Sequence, residues 1–91
     1  MKQTIWKFPL EVADEQMVEM PKNAEILSVQ NQKGKAVLYA MVATSNETEK
    51  RCIITLGTGH TMPEGFRLVY IGSVSFYDGK IIFHYFEKTT L

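Results

Sequence analysis

Along the chain, runs of roughly five to eight β-branched and aromatic residues recur between turn-forming clusters, and no window sustains apolar residues at i, i+3, i+4 and i+7 over three helical turns. The pattern is all-β. It predicts strands over Thr4 to Val12, Gln16 to Met20, Ala24 to Gln30, Lys35 to Ala43, Glu49 to Leu56, Arg67 to Tyr77 and Lys80 to Glu87. About seven strands in one small domain bury a face each most readily as an antiparallel β-sandwich or a partly open barrel. Ala13 to Met20 also admits a short helix. Pro21 would end it after about two turns, too short to stand without heavy packing, so strand is preferred.

Turn chemistry refines this reading. Asp78-Gly79 accepts the two positive φ angles of a type I′ turn, which closes a tight hairpin. The implied register sets Phe76 opposite Ile81, Val74 opposite Phe83 and Gly72 opposite Tyr85 on a core face. Ile71, Ser73 and Ser75 then fall opposite Phe86, His84 and Ile82. Gly72 would be covered by the Tyr85 ring. Asn31 to Gly34 signals a second hairpin, whose exit strand is apolar on both faces. Such a strand is central in its sheet or has one face covered by a second chain, so a homo-oligomer is expected. Pro9 and Pro21 each remove a ladder donor, which places their strands at edges.

The sequence has 91 residues, enough for one core, so a single β domain over 1–91 is expected. Ten Lys and Arg balance ten Asp and Glu with no block of like charge, which argues against a duplex nucleic-acid or membrane-surface binder. A single Cys52 cannot form an intramolecular disulfide and fits a reducing compartment. No apolar stretch has the length of a membrane span or of a signal-peptide core, so a cytoplasmic setting is expected. Cys52 alternates with Ile54 and Leu56 as a core residue would, and is read as buried and inert.

Candidate chemistry concentrates between Gly57 and Gly65, which holds three of the six glycines. Gly57, Thr58, Gly59, His60 and Thr61 could offer backbone and side-chain donors to an anion. Lys50, Arg51 and Arg67 flank the segment in sequence and could counter phosphate charge. The aromatics Trp6, Phe8, Tyr39, Phe66, Tyr70, Tyr77 and Tyr85 could include a stacking platform for a base, and Trp6 or Tyr39 could line a subunit interface. A flexible connection with solvated charges is the competing reading. There is no Lys after the glycines and no following helix, so the segment is not a nucleotide-hydrolase loop. His60 and His84 sit in no matched catalytic motif, and His84 is read as bonded to Ser73. One Cys and two His at no short spacing make no metal site, no cofactor is implied, and catalysis is not expected.

Several segments carry a resemblance: Ile5-Trp6-Lys7-Phe8-Pro9-Leu10, Asp14-Glu15-Gln16, Met20-Pro21, Ala24-Glu25-Ile26-Leu27-Ser28-Val29-Gln30, Thr48-Glu49-Lys50-Arg51, Gly57-Thr58-Gly59-His60, Tyr70-Ile71-Gly72 and Phe83-His84-Tyr85-Phe86-Glu87. Across almost the whole chain these are similar to a family of small proteins of unknown function encoded by phages and prophages. Asn23 stands where that family would have glycine. The resemblance brings no catalytic residues and implies an accessory protein acting in a bacterial host cytoplasm. Proteins of that kind act by binding. The expected function is to sequester a phosphorylated nucleotide-type host immune signal; the alternatives are direct inhibition of a host defence protein and a phage structural or assembly role.

Overall fold

The computed structural model describes residues 2–89 and contains seven antiparallel strands. They are β1 (Gln3–Pro9), β2 (Glu15–Pro21), β3 (Glu25–Gln32), β4 (Lys35–Ala43), β5 (Thr48–Gly57), β6 (Arg67–Phe76) and β7 (Ile81–Thr89). One sheet has the order β1-β4-β3 and the other β2-β5-β7-β6. The two form a small, unclosed sandwich in which β3 lies beside β6 and β2 touches β4. The segment Ala13 to Met20 is strand, not helix.

Both proline-bearing strands, β1 and β2, are sheet edges, and the doubly apolar β4 is the centre of its sheet. Leu38, Ala40 and Val42 of β4 pack inward with Val29, Val18, Met20, Ile53, Val74 and Tyr85. On the opposite face of β4, Val37 and Ala43 are also buried within the single chain. The β3–β4 hairpin turns on Lys33 (φ 53°) and Gly34 (φ 86°), and the Gly34 N–H donates to Asn31 Oδ1 at 2.8 Å. Asn23 takes a φ of 66°, so it fills the left-handed position that glycine would otherwise hold.

The Asp78-Gly79 hairpin has the register its turn implies, with Phe76–Ile81, Val74–Phe83 and Gly72–Tyr85 paired. Ser73–His84 and Ser75–Ile82 follow on the other face. Ile71 is the exception. A bulge between Tyr70 and Gly72 makes Tyr70, not Ile71, the partner of Phe86, and Ile71 packs against the core. Gly72 also has a different reason from the expected one. A Cβ there would meet Val29 Cγ1 of the facing sheet at 3.1 Å, so the glycine permits β3 and β6 to approach.

β1 ends at Pro9, short of the expected Val12, because the chain must leave one sheet for the other. Val12 is 98% exposed. Cys52 is likewise corrected. The inward row of β5 is Arg51, Ile53 and Thr55, whereas Cys52, Ile54 and Leu56 face away from the first sheet. Ile54 is buried there because residues 57–66 fold back beside it.

Candidate functional site

The Gly57–His60 segment is a turn closed by the His60 N–H bond to Gly57 O at 3.1 Å, with Gly59 in the left-handed region at φ 89°. His60 folds back over the turn, and its Nδ1 accepts the Gly57 N–H at 3.2 Å. A Cβ at Gly57 would meet the His60 ring at 2.9 Å, so a side chain here would push the exposed imidazole off the turn. The Gly57 and His60 amides are therefore occupied within the turn.

Thr58 points the other way, onto the outer face of the second sheet. Its hydroxyl lies 2.8 Å from His84 Nε2, His84 Nδ1 lies 2.6 Å from Ser73 Oγ, and Ser73 Oγ lies 2.8 Å from the Tyr70 hydroxyl. The strand ladder creates this chain, since Leu56, His84 and Ser73 form one row across β5, β7 and β6. The β6 bulge brings Tyr70 beside Ser73. The Tyr70 ring is 60% exposed and stands edge-on to Phe86 at 5.4 Å. The Ser73–His84 bond was legible in the sequence. Tyr70 was missed as a member because only the bulge turns it toward Ser73.

The other candidates are not gathered at this turn. Gly57 faces Phe83 near the far end of β6, whereas Arg67 opens that strand opposite Thr89. Lys50 is exposed toward the start of β5, opposite Glu19. Arg51 turns inward and is committed: its guanidinium pairs with the Glu87 carboxylate, with 2.9 Å from Nη2 to Oε1, and donates to Ala24 O at 2.9 Å. The Glu87 bond raises the Arg51 pKa against the lowering effect of burial. Trp6 and Tyr39 lie on the first sheet, on opposite faces of it. Thr61 lines a shallow depression on the β2 side of the loop together with Asp14, Glu15, Ile54 and His60. Its two carboxylates disfavour an anion.

Cys52 borders a second depression with Met17, Phe66 and Lys88. Burial, then the Glu15 carboxylate, pushes its thiol above the ordinary value, which keeps it protonated and unreactive at neutral pH. Lys88 is held by the Phe66 ring, 4.1 Å from its centroid, and by Glu15 at 3.8 Å. No group of His, Cys, Asp or Glu among the described residues could hold a metal ion. No helix among them is long and apolar enough to cross a membrane.

No curated protein and no solved structure matches the chain. A family described as a domain of unknown function, DUF7352, matches residues 1–91, and the chain belongs to it.

Proposed function

We propose that this is a non-catalytic binding protein that takes up a small phosphorylated nucleotide-type ligand on the outer face of its second sheet, beside the Gly57–His60 turn. The phage resemblance supplies the setting, an infected bacterial cell in which such ligands carry host immune signals. The observation that supports the reading is the convergence of Thr58, His84, Ser73 and Tyr70 in one hydrogen-bonded chain next to an exposed ring. The three hydroxyls and the neutral imidazole carry four protons for three internal bonds, so one O–H is left to donate to a phosphate oxygen, and Tyr70 offers a face to a base.

The distribution of charge narrows the ligand. Lys50, Arg51 and Arg67 lie away from the turn, so nothing there matches the multiple charges of a nucleoside triphosphate. A phosphodiester carries one charge per phosphate and suits neutral donors, which favours a cyclic nucleotide.

Calorimetric titration with a panel of cyclic mononucleotides and cyclic dinucleotides tests this. Saturable binding is expected from at least one member, weakened about tenfold or more in Tyr70→Ala and His84→Ala, whose melting curves show whether the fold survives. Absence of binding across the panel, or full affinity in both folded variants, refutes the reading.

A further inference from the structure

Four strands form the sheet edges, and three of them are blunted. β3 and β6 each carry a bulge and lie against one another, and Asn31 Nδ2 donates to Ser75 O across the gap at 3.1 Å. β2 carries Glu15 and Glu19, and charge on an edge discourages pairing. β1 has no bulge over its seven residues and makes no extensive contact with the second sheet. It therefore overhangs, with Ile5 57% exposed on one face and Trp6 42% exposed on the other. β1 also carries Lys7 and Pro9, but Pro9 stands at its end, so Gln3 to Lys7 is left as an unpaired, bulge-free edge, a template for another strand.

The ladder fixes what that edge offers. Antiparallel rungs alternate between bonded and non-bonded pairs, and the Leu10 N–H bonds to Ala36 O at 3.0 Å. Two and four residues back, Phe8 and Trp6 are then the bonding residues toward β4. Gln3, Ile5 and Lys7 direct their N–H and C=O groups outward. Pro9 also faces outward, so its missing N–H costs β4 nothing.

We propose that the partner of this edge is β1 of a second copy, paired antiparallel about a two-fold axis through Ile5. In this register Gln3 faces the partner's Lys7 and Ile5 faces the partner's Ile5, so each outward donor meets an outward acceptor. Pro9 falls outside the ladder, and no like charges are opposed. An axis through Trp6 instead sets Pro9 against Gln3 and leaves a carbonyl without its donor. On the inner face Trp6 lies beside the partner's Thr4, an aromatic on a β-branched residue. The two sheets become one six-stranded sheet.

The paired stretch Gln3 to Lys7 is about 17 Å long, and burying it with its flanking side chains covers on the order of 700 Å², the size of a weak, transient interface. Reversible micromolar association follows. The proposal is independent of the ligand reading above.

Analytical ultracentrifugation of the full chain over a micromolar concentration series is expected to show a monomer–dimer equilibrium. Ile5→Pro removes the N–H at the axis and no bond to β4, so it should be monomeric with an unchanged circular dichroism spectrum. In a Cys52→Ser background, Ile5→Cys should form a covalent dimer on oxidation, because bonded antiparallel pairs hold their Cα atoms about 5.5 Å apart. Lys7→Cys in the same background faces Gln3 and should not. A wild type that stays monomeric, a dimer that survives Ile5→Pro, open-ended assemblies, or equal cross-linking from position 7 would each overturn the proposal.

Discussion

Gly72→Val tests the approach of the two sheets most directly. Gly72 has an ordinary strand φ, so a side chain brings no backbone strain, and what it meets decides the outcome. The first atom added, Cβ, stands 3.1 Å from Val29 Cγ1. Val29 is 5% exposed and β-branched, which leaves it no free rotamer to yield. For Gly72→Ala this contact opposes a backbone-entropy gain of about 0.5–1 kcal/mol, so the two nearly cancel. The two further methyls of valine extend from a Cβ already in tight contact, and overpacking of this kind costs about 2 kcal/mol. At about 4–8 °C per kcal/mol for a domain of this size, Tm should fall by about 8–16 °C. Scanning calorimetry gives the shift, and a double-mutant cycle gives its cause. In a Val29→Ala background the Gly72→Val penalty should shrink by about 1 kcal/mol, and in a Tyr85→Phe background it should not change. An unchanged Tm, or strict additivity with Val29→Ala, would refute the sheet-contact account of this glycine.

Two further predictions concern the inner face of the second sheet. Arg51→Met strands the Glu87 carboxylate, whose side chain is only 15% exposed, and should cost about 2–4 kcal/mol by urea denaturation. Replacing Glu87 by Met as well should recover much of it, whereas no recovery would show that the loss does not come from a stranded carboxylate. Burial also raises the Tyr85 phenol above its ordinary pKa, so the unfolded chain ionises first. Stability should therefore hold below about pH 10 and decline as pH rises beyond it, and Tyr85→Phe should flatten that decline. Urea midpoints across this range decide it, in a Cys52→Ser background because the raised Cys52 thiol acts with the same sign near pH 9. An equal decline in Tyr85→Phe would assign it elsewhere.

The chain's local chemistry settled the number of strands, both tight hairpins and the edge positions of β1 and β2. Asp78-Gly79 and Asn31 to Gly34 select their turns over a few residues, and Pro9 and Pro21 exclude central strands wherever they fall. The Ser73–His84 bond was legible for the same reason, because register propagates from a turn two residues at a time. What the tertiary structure decided depends on which sheet each strand joins. Alternation along Cys52, Ile54 and Leu56 is genuine, but period 2 marks two faces without saying which meets the other sheet, and the returning loop buried the outer one. Lys50, Arg51 and Arg67 neighbour the glycine-rich loop in sequence only. β5 and β6 both run toward the level of that turn, so Lys50, Arg51 and Arg67 lie at their opening ends and strand length separates what chain order brings near. The bulges at Leu27 and Ile71 lie on β3 and β6, the two strands that meet between the sheets although they are far apart in the chain. The bulge in β6 turns Tyr70 toward Ser73, which chain order alone does not announce.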